Sequence, residues 1–382
     1  FIPQMLETLP VGRYIAATTP EKIQALIRSN EEAIRNTGLV VLDEAQKLFD
    51  ESRGTTIEHV LLEIHRIVPT CRFVLMSAQF DALDRMVEFF NRFRPGTPRS
   101  QLVSSIRPTR RINGVITDSI EGGYWYPSIE VYPPGIQNVN ENTTTPYTIF
   151  LSNNKARAKP QQTRLAHQVV VELTKTPLRT VAFVDFPIST ESQADSIAKK
   201  IRSTDIELPK EDIARLRIEL GRESAIEQFG KKGIAPHHAA LTPLEQHLVE
   251  KWIRNKTIRS IVATSTLAEG VNLPIDVSIV TYLRRHRRDG NQAVPINEIQ
   301  NMLGRAGRAG HVSDGLCLIT YPSSETQRRR PLDSARRYFF RQERIQDYLG
   351  LSKLLQNART ARVYENGWLQ EYGGLKFSEC QT

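Results

Sequence analysis

Three cysteines in 382 residues leave little room for sulfur chemistry. Cys71, Cys317 and Cys380 are far apart and odd in number, and no C-x-x-C pair occurs. That excludes a disulfide framework and a thiolate zinc site. It fits a reducing, intracellular setting. No apolar run approaches the ~18–20 residues that span a bilayer, so no membrane partner is expected. The opening FIPQMLETLPVGRY has no basic stretch ahead of an apolar core, and does not read as a secretory leader.

Positive charge is in excess. Lys and Arg number 51 against 42 Asp and Glu, a net charge of +9. A balance of that sign favours a polyanionic partner such as nucleic acid. Short β-branched runs alternate with helical patterns. RYIAAT (13–18), LVVLDEA (39–45), RFVLMSA (72–78), TVAFVDF (180–186) and SIVATST (260–266) read as strands, whereas TTIEHVLLEIHRIV (55–68) and TPLEQHLVEKWIRN (242–255) read as helices. Such alternation argues for parallel α/β architecture, in which ligands bind beyond the carboxyl ends of the strands. Two such blocks are expected, at 1–98 and 178–325. Residues 99–177, rich in Gly, Pro, Asn, Thr and aromatics, read as a linker with a β-rich insertion. There Tyr124, Trp125 and Tyr126 fit local packing better than a base-stacking platform. From 326 to 382 the chain turns basic and helical.

LVVLDEAQKL delivers Asp43 and Glu44 side by side at the end of a strand. An acid there can hold Mg²⁺, usually through water. A second acid beside it can polarise a water for attack on a γ-phosphate. Ser77, Ala78 and Gln79 lie at the next strand end, where they can couple a nucleotide site to a neighbouring surface. In NEIQNMLGRAGRAG (297–310), Arg305 and Arg308 lie three apart among small residues. Gln300 precedes them by five and eight, on the same expected helical face. Guanidinium groups suit transferring phosphoryl oxygens. His237 and His238 are adjacent with no third ligand nearby, a poor zinc site. YLRRHRRDGNQAVPI (282–296) carries Arg284, Arg285, Arg287 and Arg288 around Asp289–Gly290, a hairpin turn signal.

TTPEK (18–22), DEAQ (43–46), SAQ (77–79), TVAFVDFPIST (180–190), HHAALTPLEQ (237–246), ATSTLAEGVNLP (263–274) and QNMLGRAGR (300–308) follow one another in a fixed order. That order and wording resemble a superfamily 2 helicase of the DEAD/DEAH type, in its Ski-like branch. The resemblance implies two RecA-like domains that close on ATP and Mg²⁺. Asp43 would hold the metal through water and Glu44 would orient the attacking water. Gln46 would link the nucleotide to Ser77–Gln79 and to the second domain. Arg308 would be the arginine finger, with Arg305 and Gln300 supporting the phosphates and the water. Gly270 and Asn272 would help close the nucleotide site. Thr264, Ser189 and Thr190 would touch the nucleic-acid backbone. Residues 284–296, with Arg284, Arg285, Arg287 and Arg288, would form the strand-separating hairpin.

One family element is missing. No G-x-x-x-x-G-K-[ST] loop occurs, and the nearest fragment, FGKKG (229–233), lies in the wrong block. The expectation is therefore an incomplete first RecA-like domain, in a C-terminal portion of a longer helicase that is inactive alone. Gln46 stands where the branch often has His, and Gln79 where it often has Thr. The function expected is ATP-driven 3′-to-5′ movement on, and unwinding of, DNA, with RNA the other candidate. The alternative is an ATPase-inactive, nucleic-acid-binding scaffold that works with partner subunits.

Overall fold

The computed structural model describes residues 15–49, 53–77, 87, 100, 102, 109–132, 147–150, 157, 161–202, 205–287, 290–307, 314–321 and 331–340. The chain forms two compact units, Phe1–Leu102 with Glu343–Thr382, and Val103–Gln342.

In the first unit, β1 (Leu39–Leu42) and β2 (Arg72–Leu75) pair in parallel, Leu39 opposite Arg72 and Leu42 opposite Leu75. Parallel neighbours need a crossover, and α2 (Gly54–Ile67) supplies it. Its residues Ile57, Val60, Leu61 and Ile64 recur at helical spacing and are buried. α1 (Pro20–Ser29) adds Leu26 to a cluster with Val60, Ile64 and Cys71. Thr19 caps α1, its Oγ1 accepting from Lys22 N at 3.4 Å, and Pro20 takes the first helical position. The strand expected at RYIAAT is not formed in its described part. Residues 15–19 lie in no ladder and Ile15 is 99% exposed, because the segment serves as the lead-in to the α1 cap.

The second unit is built on an eight-stranded, mostly parallel sheet. Its strands are β3 (Arg110–Glu121), β4 (Tyr124–Val131), β5 (Tyr147–Phe150), β6 (Thr180–Phe183), β7 (Ile234–His237), β8 (Ser260–Ala263), β9 (Val277–Val280) and β12 (Asp314–Thr320), in the order β5-β4-β3-β12-β9-β6-β8-β7. The run from β3 to β7 is parallel, and only β4 and β5 are antiparallel. Strands β6 to β9 are buried at every position, as in parallel sheets covered on both faces. Val181 and Phe183 enter one core cluster and Ala182 and Val184 the other, following the two-residue alternation of a strand.

The helices that cover it are α3 (Gln162–Thr174), α4 (Pro187–Ala198), α5 (Lys210–Leu220), α6 (Ala225–Gly230), α7 (Pro243–Arg254), α8 (Leu267–Gly270), α9 (Ile296–Leu303) and α10 (Pro331–Phe340). α7 opens on a capping box: Glu245 N donates to Thr242 Oγ1 at 3.2 Å and Thr242 N donates to Glu245 Oε2 at 2.9 Å. Buried Trp252 on α7 donates its Nε1–H to Asp212 of α5 at 2.8 Å. α10, the described part of the helical extension, brings buried Ala335 and Tyr338 into the larger cluster.

The β-rich stretch between the blocks is present, but it is not a separate linker. β3 and β4 form a hairpin whose turn, Gly122–Gly123, has φ of +56° and +76°. Both values lie in the left-handed region that a two-residue hairpin turn demands. β3 then pairs in parallel with β12, from Arg110–Asp314 to Ile116–Thr320. Val115, Ile116, Ile129 and Val131 are buried by that arrangement, so residues 110–131 belong to the second sheet. Tyr124, Trp125 and Tyr126 are half-buried on β4, paired across the hairpin with Glu121, Ile120 and Ser119. Among the described residues, no helix is long and apolar enough to cross a membrane.

Candidate nucleotide and nucleic-acid site

In the first unit the ladder continues past the strand ends. Met76 N donates to Leu42 O at 2.9 Å, and Ala45 N donates to Met76 O at 2.8 Å. Those two bonds set Asp43–Ala45 alongside Met76–Ser77. The two strand ends expected to communicate are thus backbone neighbours. Asp43 is exposed, and its Oδ1 accepts from Glu44 N at 2.8 Å. Glu44 has φ of 54°, a left-handed conformation. Among the described residues, Lys256 is the one other non-glycine with positive φ. Such a backbone costs about 1–3 kcal/mol and persists where its surroundings over-determine it. Here buried Ala45 and Leu48 anchor the 3₁₀ turn Ala45–Phe49 that follows. The turn breaks strand alternation, so both acids stand at the carboxyl end of β1. Gln46 falls in that turn. Its side chain and that of Arg287 lie outside the described residues, as do Ala78, Gln79, Arg288 and Arg308.

In the second unit, Asp185, His238, Thr264 and Thr281 follow β6, β7, β8 and β9 at their carboxyl ends. Thr264 is buried, and its hydroxyl shares a hydrogen bond with Thr266 Oγ1 at 2.8 Å. Thr190 is fully buried and donates to Pro187 O at 2.6 Å. It closes the first turn of α4, which corrects the expectation that it meets nucleic acid. Ser189, half-buried at the same helix start, is the more open hydroxyl.

Gln300 and Arg305 do not share a helical face. α9 ends at Leu303, Gly304 caps it, and Arg305 sits in the turn beyond, its N–H on Met302 O at 3.2 Å. The Arg305 side chain is buried and donates from Nη1 to Val271 O at 3.0 Å. It is thereby brought between Gly270, the last residue of α8, and exposed Asn272. Gly307 N donates to Ile275 O at 3.1 Å, so the GVNLP and GRAG segments are stitched side by side. Gln300 is half-buried one turn earlier.

The basic stretch is a hairpin. β10 (Arg284–Arg287) and β11 (Gly290–Ala293) pair antiparallel. Arg287 lies opposite Gly290, so Gly290, with φ of 110°, stands on the returning strand rather than in the turn. Arg284 is exposed. Arg285 corrects the expectation of a nucleic-acid contact. Its Nε donates to Asp185 at 2.5 Å, and its Nη2 and Nη1 donate to the two oxygens of Glu298 at 2.6 and 3.2 Å. Nη2 also reaches Tyr282 OH at 3.0 Å. Burial alone would lower the pKa of this guanidinium. The bonds to Glu298 and Asp185 reverse that and push it above the ordinary arginine value. Asp185, Tyr282 and Glu298 were not legible as a group, since no spacing in the sequence links them.

His237 Nε2 lies 3.3 Å from Glu250 Oε1, and His238 Nε2 lies 3.5 Å from Glu191 Oε1. Among the described residues no three His, Cys, Asp or Glu side chains are grouped to hold a metal. Burial depresses the His237 pKa, Glu250 partly opposes this and His238 adds to it. The unfolded chain therefore takes up this proton first as pH falls. Stability linked to His237 is present above about pH 6.5 and is lost below it. The thermal midpoint of the second unit is expected to fall between pH 7 and 5, and less so in His237→Gln. Equal falls in both would remove His237 as the cause.

A parallel α/β sheet with acids at one strand end, and a Gly-Arg loop stitched to a neighbouring motif in the other unit, defines a class. Residues 4–86 match the model of the DEAD/DEAH box helicase family, and residues 210–310 match the helicase conserved C-terminal domain. Both matches, in this order along the chain, are consistent with a DEAD/DEAH-type superfamily 2 helicase. It is similar to the ATP-dependent DNA helicase Hel308 of Methanococcus vannielii, 28% identical over 78% of this chain and 36% of that protein. It is also similar to Hel308 of Thermoplasma acidophilum, 26% identical over 83% of this chain and 40% of that protein. DNA polymerase theta of Caenorhabditis elegans is 28% identical over 78% of this chain and 18% of its own length. The chain thus spans at most 40% of the length of these relatives.

Proposed function

We propose that this chain belongs to an ATP-dependent helicase that moves 3′ to 5′ on DNA, of the Ski-like branch. The observation that carries this is the juxtaposition of Asp43 and Glu44 with Ser77 through the Ala45–Met76 bond. The names of the relatives favour DNA over RNA.

Asp43 offers a hard carboxylate oxygen at an exposed strand end, the donor type Mg²⁺ takes beside water and phosphate. The 382 residues hold no G-x-x-x-x-G-K-[ST] loop. They therefore fit the metal-and-water side of an ATP site and not its triphosphate cradle. Bound Mg²⁺–ATP would supply the γ-phosphoryl group and neutralise its developing charge. Glu44 orients the attacking water and takes its proton. Gln46 relays to Ser77, Ala78 and Gln79. Arg308 is the finger toward the transferring group. Arg305 holds the Gly270–Asn272 segment through Val271, and Gln300 supports the water. Ser189 and Arg284 face the nucleic-acid strand, and the β10–β11 hairpin parts the duplex.

The test uses the complete natural polypeptide. ATP turnover is measured with and without single-stranded DNA or RNA, together with strand displacement from duplexes tailed at either end. DNA-stimulated turnover with a 3′-tail requirement supports the reading. Binding without turnover replaces it with the scaffold. Deleting residues 287–292 is expected to lower strand displacement about tenfold or more while single-strand-stimulated turnover stays within about twofold. Proportional loss of both would remove the wedge.

A further inference from the structure

We propose that Arg285 is a positioning residue that pins the β10–β11 hairpin to α9 and to the end of β6, so that hairpin and helix move as one body. The inference rests on the reading of 284–296 as the strand-separating hairpin, and it concerns what holds that hairpin.

An isolated two-stranded hairpin is marginal in water. Among the described residues, β10 and β11 form a sheet of their own, joined by no ladder to the eight-stranded one. Their direction must therefore be set at the root. Arg285 lies there, with a side chain only 16% exposed. One guanidinium binds two carboxylates from different elements: Asp185, just beyond β6, and Glu298, in the first turn of α9. The bond to Glu298 is bidentate, and Tyr282 backs the guanidinium from the end of β9, its ring centroid 5.5 Å away. The outermost ladder bond, Val294 N to Leu283 O at 3.0 Å, runs directly into α9.

A half-buried ion group of this kind is weak evidence for stability, and its best-attested use is to select one arrangement. A planar fork can serve Asp185 and Glu298 at once, where the point charge of a lysine cannot. α9 carries Gln300 and leads into Arg305, so a shift of that helix reaches the hairpin through Glu298 and Arg285. The neighbouring Arg284 is exposed on β10, and in the proposed reading it meets phosphate.

The test uses the complete natural polypeptide with Glu298→Gln, Arg285→Lys and Arg285→Met. Amide exchange in β10 and β11 is expected to quicken about tenfold or more, with β6, β8 and β9 unchanged. Glu298→Gln should lower strand displacement about tenfold while keeping DNA-stimulated ATP turnover within about twofold. Arg285→Met should leave the salt slope of single-strand binding intact, whereas Arg284→Ala reduces it by about 1. If Arg285→Met does not fold, Glu298→Gln decides the matter by exchange. Unchanged hairpin exchange overturns the pin. So does a salt slope reduced in Arg285→Met, which would make Arg285 a phosphate contact. If the wild-type polypeptide displaces no strand, the wedge reading fails, and hairpin exchange still decides the pin.

Discussion

Glu44→Gln is expected to lower nucleic-acid-stimulated ATP turnover by about 10²–10⁴-fold, the range that a positioned general base contributes. Affinity for single strands should not change. Glutamine keeps the length and shape of the side chain and bears the same left-handed backbone, so the Ala45–Met76 bond should survive. What is lost is the capacity to take a proton from water. Steady-state turnover and fluorescence anisotropy on a labelled strand separate the two effects. Retention of more than about a tenth of the turnover would dismiss Glu44 as the base. A companion variant divides chemistry from strain. Glycine is at ease with φ of 54°, so Glu44→Gly should be as inactive yet lack the strain of about 1–3 kcal/mol.

The second large effect is structural. A Cβ added at Gly315 would lie 2.6 Å from Ala306 C and Gly307 N, and 2.7 Å from Gly307 Cα. All three are backbone atoms that cannot swing aside. Gly307 is itself left-handed, with φ of 68°, and its N–H is held by Ile275. Gly315→Ala should therefore cost about 3 kcal/mol by overpacking. For a unit of this size that is roughly 6–12 °C in the thermal transition, read by calorimetry of the complete polypeptide. Turnover should fall as well, because β12 would be forced away from the loop that seats Arg305 on Val271. A shift under about 2 °C would mean that the two backbones do not approach this closely.

Much of this was legible from local chemistry. LVVL and RFVL read as strands because they are short β-branched runs, and Leu39–Leu42 and Arg72–Leu75 are strands. Asp289–Gly290 announced a hairpin, and β10 and β11 form one, one residue out of the expected register. Other features depend on partners distant in sequence. Residues 110–131 read as a β-rich insertion within a linker, because glycine, proline and aromatics interrupt the α/β pattern. That β3 joins the second sheet depends on its parallel pairing with β12, 204 residues on, which nothing nearby in the sequence signals. Thr190 and Arg285 were read by residue type alone, as a hydroxyl and a cation fit for phosphate. Whether a threonine points outward, or a guanidinium is already taken, is settled by Pro187 and by Asp185 and Glu298. No local pattern announces those partners.

The position of β12 has a kinetic consequence. It lies between β3 and β9 in the middle of the sheet, yet it is the last strand of that sheet to leave the ribosome. Its partner Arg110 lies 204 residues earlier than Asp314. At about 5–20 residues per second, roughly 10–40 s of synthesis separate the two. Through that interval Val115 and Ile116 have no β12 to lie against, and pairing so distant in sequence is slow to form. Nascent chains of this protein should therefore lean on chaperones until residue 320 is made. A gene divided anywhere between residues 132 and 314 would yield two pieces, each with an open strand edge prone to aggregate.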